Sequence, residues 1–302
     1  MANYIIAIFT ILFSSISFAA SCCGGGAGSS SIITSDDRMK LQFNYKNSAY
    51  LYDVDTDGDV TKRSPENSEV LESFKVSTAY QFDNYFQVAI GASVSKVTKK
   101  TSRVRESETN IADINITVGY EFLKEQYFSY WKPRGFVYVT QVLPTGNSKY
   151  ETKSRLQTDV TGSGFHQTRL GVMFFKLIKE FDFTLDSNLT YYFKERFSSE
   201  EVYRYPTIES SLSFGYSPSM GDLRIGGGAA FKYDGHSELI FNNGTRQDSE
   251  GIFVTTLNLS LSYMLNDISY GVTYADQTIL SGSKNTSLER SLSINLAKAF
   301  PL

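Results

Sequence analysis

Apolar and polar residues alternate along most of this chain with a period of two, most clearly over its last fifty residues. From Phe253 the odd positions Phe253, Leu257, Leu259, Leu261 and Tyr263 are apolar or aromatic, while Asn258, Ser260 and Ser262 between them are small and polar. After a two-residue turn, Asn266-Asp267, the pattern resumes with Ile268, Tyr270, Val272 and Tyr274 opposite Ser269, Gly271, Thr273 and Ala275. A third run sets Leu292, Ile294, Leu296 and Phe300 against Ser291, Ser293, Asn295 and Ala297. Period two belongs to strands whose two faces meet different surroundings. The polar face of a soluble sandwich would carry charge. Here it is glycine, serine, threonine and asparagine, which suits a barrel lumen, and the apolar face with its tyrosines suits acyl chains and headgroups.

Nine alternating segments precede these three, at 39–52, 74–82, 86–94, 114–122, 135–143, 170–174, 183–193, 208–216 and 223–233. Segment 135–143 is apolar on both faces, so periodicity does not orient it. The connections alternate in length. Those at 83–84, 178–180, 217–221 and 266–267 are short, whereas 53–70, 96–110, 144–165, 195–205, 234–250 and 276–288 are long and polar. Short periplasmic turns alternating with long outer loops are the habit of outer-membrane barrels. One turn, 123–134, is longer, and its Tyr127, Phe128, Tyr130 and Trp131 would belong to a periplasmic aromatic girdle. The expected fold is all-β: a transmembrane antiparallel up-and-down β-barrel of about 12 strands in the bacterial outer membrane, with 10 to 14 within the drift of strand boundaries. An even count returns both ends of the barrel to the periplasm.

The N-terminal region agrees with export. Residues 5–18 (IIAIFTILFSSISF), followed by Ala19, Ala20 and Ser21, have the layout of a secretory signal peptide, although the opening MANY supplies no Lys or Arg. The stretch is shorter than the roughly 20 apolar residues that a membrane-spanning helix needs. The expected division is a signal peptide at 1–21, a flexible Cys-Cys-Gly/Ser leader at 22–36, and the barrel at 37–302. The leader can lie in the periplasm or fold back into the lumen. Cys22 and Cys23 are the only cysteines, which excludes a disulfide framework. Ala-Ser-Cys is a loose lipoprotein site with Cys22 as the lipidation residue, set against ordinary cleavage that leaves two thiols.

Composition adds constraints. The formal net charge is -3 with charges interspersed, so no basic patch points to nucleic acid. Twenty Tyr and 22 Phe against one Trp fit interfacial girdles. The last strand, ending on Phe300 with apolar residues at alternate positions before it, resembles the signal read by the bacterial barrel-assembly machinery, which would then be a partner during insertion. Pro301-Leu302 beyond the aromatic departs from that signal.

Val142-Leu143-Pro144-Thr145-Gly146, then Gly162-Ser163-Gly164 with Leu170-Gly171 beyond, resembles the pattern of bacterial outer-membrane channels linked to phenol-degradation (meta) pathways. The resemblance implies a channel. In physical terms Pro144 ends strand pairing, and Gly146, Gly162 and Gly164 permit tight backbone at the rim beside Thr145. Alternation turns Lys40, Lys46, Lys75, Asp113, Glu121, Arg169, Asp182, Asp186, Glu209, Arg224 and Lys232 inward as pore-lining residues. Charges of both signs around a narrow bore would orient dipolar or ionic solutes, or else pair across it and seal it. The expected function is porin-like passive transport of small solutes, with the third outer loop, 144–165, as gate or constriction. The alternative is a closed structural or surface-binding barrel.

Other candidate chemistry is slighter. Asp53, Asp55 and Asp57 copy the first half of a calcium loop, a candidate Ca2+ site on an outer loop, but its twelfth position is Ser64 instead of Glu. Lys96, Lys99, Lys100, Arg103 and Arg105 could meet lipopolysaccharide phosphates. An enzyme is not expected. The two histidines, His166 and His236, lie at the outer rim, and Ser237 beside His236 would point to the opposite face of a strand.

Overall fold

The computed structural model describes residues 31–301, apart from 84, 125–128, 130, 198–199, 219–221 and 281. The signal peptide, Cys22, Cys23 and three of the turn aromatics, Tyr127, Phe128 and Tyr130, lie outside the described residues. Strands in chain order are β1 (Asp37–Val54), β2 (Val60–Lys62), β3 (Ser68–Gln81), β4 (Phe86–Lys100), β5 (Arg105–Ile111) and β6 (Ile114–Leu123). Then come β7 (Arg134–Leu143), β8 (Gln167–Ile178), β9 (Phe181–Tyr192), β10 (Glu195–Phe197), β11 (Glu200–Arg204) and β12 (Thr207–Tyr216). Last are β13 (Leu223–Asp234), β14 (Ser237–Phe241), β15 (Arg246–Ser249), β16 (Ile252–Leu265), β17 (Ile268–Asp276) and β18 (Thr286–Pro301).

Twelve of these are barrel staves: β1, β3, β4, β6, β7, β8, β9, β12, β13, β16, β17 and β18, each antiparallel to its neighbours. The seam between β18 and β1 runs from Asp37 opposite Pro301 to Val54 opposite Thr286 and closes the sheet on itself. Closure leaves no unpaired edge, the condition for strands to cross hydrocarbon. The outward rows are exposed apolar side chains, among them Leu185, Leu189, Ile208, Leu212, Ile225, Leu259 and Ile294. A continuous surface of that kind is a lipid contact. At its periplasmic end Phe86 packs on Tyr120 with ring centroids 4.8 Å apart, and Phe181 on Tyr216 at 5.0 Å. Trp131 is 90% exposed in the turn below them. These bands place the barrel in the bacterial outer membrane.

The turns follow local chemistry. Asn266 and Asp267 take positive φ values of 50° and 62°, as a two-residue hairpin loop requires. Asp83 accepts hydrogen bonds from the backbone N–H groups of Tyr85 and Phe86 to reverse the chain between β3 and β4. The remaining strands stand above the membrane. β2 extends the edge of β1 and β5 pairs with the top of β4, while β10, β11, β14 and β15 form a separate four-stranded sheet. This small sheet packs Phe197 and Val202 on Phe165 and Tyr192, with Tyr150 of the third outer loop and Leu239 against them.

Candidate functional site

The site is the bore. Its outer mouth is shaped by the third loop, which Asp113 holds down. The Asp113 carboxylate accepts hydrogen bonds from the Gly146 N–H at 3.0 Å, the Ser163 N–H at 2.8 Å and the Ser163 hydroxyl at 3.0 Å. Asp113 precedes β6 and ties the two legs of the loop together, so it stands above the strand wall rather than within it. The legs touch backbone to backbone: a Cβ on Gly146 would stand 2.8 Å from Gly162 Cα, and one on Gly162 would stand 2.7 Å from Gly146 Cα. Thr145 adds a hydroxyl hydrogen bond to the Ala112 carbonyl, and Gly164 takes a φ of 77°. Asp113→Ala would strip a charged acceptor from two backbone donors at a cost of about 1.5–3 kcal/mol for each bond. Trypsin added outside vesicles should then cut at Lys149, Lys153 or Arg155 several-fold faster than in the wild type; an unchanged rate would mean the loop is held elsewhere.

Within the bore most charges are paired. Arg224 of β13 grips Asp182 of β9 with two bonds of 2.7 Å, passing over Gly215 of β12. An added Cβ at Gly215 would stand 2.3 Å from atoms of both partners, so only glycine fits beneath this pair. Lys46 meets Glu289 at 2.6 Å and Lys232 meets Asp234 at 3.0 Å, with Arg204 on the same carboxylate at 3.5 Å. Asp186 accepts the Tyr138 hydroxyl at 2.7 Å, and Glu209 is partly exposed on β12. Lys40 lines the lower bore, whereas Lys75 and Arg169 lie higher.

At the periplasmic end the chain before β1 turns into the lumen. Ile32, Ile33 and Thr34 are buried there. Gln87 of β4 treats this segment as a strand edge: its carbonyl accepts the Ile33 N–H at 2.6 Å and its amide donates to the Ile33 carbonyl at 3.2 Å. Ile32 packs with Phe136, Tyr138 and Met173, and Ile33 with Ala79 and Ala89. Arg134 latches the segment below, donating to the Thr34 carbonyl at 2.7 Å and pairing with Asp36 and with buried Glu121. Segment 135–143 is thereby oriented. Phe136 and Tyr138 face inward to receive the plug, and Val137 and Val139 face lipid.

Beside the plug remains a cavity of about 70 Å³, bounded on its far side by polar residues such as Ser211, Asn258, Ser262, Thr273 and Asn295. A cavity that takes benzene measures about 150 Å³. Beside the described residues of the plug that is room for water and small ions, and too little for an aromatic ring.

The other candidates have local partners. Asp53 is gripped by Arg63 at 2.7 Å and by Ser287, and Asp55 caps its turn by accepting the N–H groups of Asp57, Gly58 and Asp59. Among the described residues no three His, Cys, Asp or Glu side chains converge on a point that could hold a metal ion. Lys96 and Lys99 pair with Glu72 and Glu69, both at 3.1 Å. His236 stacks on Tyr205 with centroids 3.6 Å apart, while the Ser237 hydroxyl meets that of Ser249.

No protein-family model matches the chain, and no curated protein matches it in sequence. Among solved structures it is similar to the COG4313 outer membrane channel from Pseudomonas putida F1, at 13% identity over 87% of this chain and 96% of that one, with a TM-score of 0.70. Looser likenesses are the translocator domain of the autotransporter NalP from Neisseria meningitidis (11% identity, 87% and 88% covered, TM-score 0.47) and the CymD monoaromatic hydrocarbon channel (12%, 88% and 90%, 0.44). These neighbours are channels and a translocator barrel, not enzymes. The chain has the fold of an outer-membrane channel barrel.

Proposed function

We propose that this protein is an outer-membrane channel that passes small solutes passively and is closed at rest by its own N-terminal segment. The observation that carries this reading is the polar cavity beside a plug whose described residues are held by two buried isoleucines, one glutamine amide and one arginine. A purely structural barrel would gain nothing from a polar lumen blocked by a separate segment; apolar packing would fill it at lower cost. The solved barrel it resembles at a TM-score of 0.70 is an outer membrane channel, which agrees.

The test is conductance of the refolded barrel in a planar bilayer, with folding checked by heat-modifiable gel mobility. Small steps with brief large openings are expected. Silence from a folded barrel, with the plug intact and with it weakened as described below, would overturn the channel reading in favour of a closed surface protein.

A further inference from the structure

Charge is sorted by face on the hairpin of β4 and β5. Tyr45, Phe74 and Val94 stand opposite one another in register on β1, β3 and β4, and they are the outermost exposed apolar side chains of those staves. One alternation further out Glu72 and Lys96 pair at 3.1 Å, and the Tyr45 hydroxyl donates to Glu72 at 2.9 Å, which marks the edge of the hydrocarbon. Next on the same face come Thr98 and Ser107, whose hydroxyls are 2.9 Å apart, and then Lys100 directly opposite Arg105. The carboxylates of the hairpin face the other way. Glu106 stands opposite Lys99 and accepts the Ser154 hydroxyl and the Leu156 N–H of the third loop, while Glu108 stands opposite Val97. Lys99 shares that inner face and meets Glu69 at 3.1 Å.

Beyond Glu72 the outward face is therefore cationic. Lys100 and Arg105 are exposed, Arg103 is exposed in the turn between them, and no carboxylate of the described residues lies at ion-pair distance from any of the three. Like charges directly opposite on paired strands repel, and an anion held between them turns that cost into charge-assisted bonds. Height identifies the anion. Lys96 lies two residues past Val94, about 7 Å along the strand, and Lys100 lies six past it, about 20 Å at about 3.3 Å per residue. With staves tilted by about 40° these become heights of about 5 and 15 Å. The headgroup layer of a phospholipid bilayer is about 5–8 Å deep on each side. Lys96 reaches that layer and is already matched by Glu72. Lys100, Arg103 and Arg105 stand beyond it, where only a lipid with a tall phosphorylated headgroup extends. We propose that these three cations bind the core-sugar phosphates of a lipopolysaccharide in the outer leaflet, held against the outward face of the hairpin. The inference does not depend on whether the bore conducts.

The test is native mass spectrometry of the detergent-folded barrel, its folding checked by gel mobility, with three lipids: rough lipopolysaccharide carrying phosphorylated core heptoses, its counterpart lacking only the core phosphates, and phosphatidylglycerol. The core-phosphorylated lipid should bind at least tenfold more tightly than the other two. Lys100→Gln combined with Arg105→Gln should weaken it about tenfold, equivalent to about 1.4 kcal/mol, and leave the counterpart unchanged. Lys100→Arg should retain the preference, and Arg246→Gln, which removes an exposed charge from β15, should not alter it. Equal binding with and without core phosphates, phosphatidylglycerol binding as tightly, or affinity that the paired change leaves unmoved would overturn the site. A loss as large from Arg246→Gln would overturn it too, by showing that net charge alone attracts the lipid.

Discussion

Replacing Ile32 and Ile33 with asparagine should convert a barrel of small, intermittent steps into one with a large and persistent conductance. Both side chains are almost fully buried, at 5% and 1% exposure, against Phe136, Tyr138 and Met173 on one side and Ala79 and Ala89 on the other. Burying an isoleucine is worth about 1.5–3 kcal/mol, so losing two removes about 3–6 kcal/mol from the seated state. That shifts the ratio of seated to released plug by about two to four orders of magnitude. The hydrogen bonds from Gln87 and Arg134 remain, but water competes for them once the apolar contacts are gone. The staves are untouched, so gel mobility should not change while mean conductance rises several-fold. An unaltered conductance would show that the constriction lies elsewhere, with the third loop the next place to look.

Arg224→Met should produce the largest loss of stability of any single change in the bore. Arg224 and Asp182 are 4% and 7% exposed and share two bonds of 2.7 Å. Removing the guanidinium leaves a buried carboxylate without its counter-ion, a defect of about 3–5 kcal/mol. Pairing Arg224→Met with Asp182→Asn removes the stranded charge as well and should recover much of the loss. The midpoint temperature of the mobility shift in the gel reports both. Arg224→Met melting like the wild type, or a double variant no better than the single one, would mean that lumen water already screens the pair. Gly215→Ala offers an independent check, because its methyl group would displace the same two side chains.

All twelve staves were legible in the sequence because lipid on one side and a wet lumen on the other impose a period of two. Legibility failed where that contrast fails. β7 could not be oriented, since Val137 and Val139 meet lipid while Phe136 and Tyr138 meet Ile32, and a sequence pattern does not distinguish lipid from a plug. The strands outside the membrane, β2, β5, β10, β11, β14 and β15, were missed for a related reason: β2 and β15 are exposed throughout, and none has a lipid face to set a pattern. Phe197, Val202 and Leu239 were the available hint, as apolar residues inside otherwise polar loops. Asp113 was assigned to the wall by alternation, yet it lies one residue before β6, where its carboxylate binds the third loop. The placement of the leader was left open, and the two isoleucines just ahead of β1 were the signal for it. An apolar pair beside a Gly/Ser tract has to be buried somewhere, and the bore is adjacent.

The plug is also continuous with the first stave, only a few residues from Asp37. Its return to the bore is therefore an intramolecular event, governed by an effective concentration in the millimolar range set by the tether. Dilution cannot wash it away, and no second molecule is needed to shut the pore. On the proposed gating each opening is a first-order excursion with a lifetime fixed by the protein itself, so the time spent closed should be independent of how many copies share a membrane.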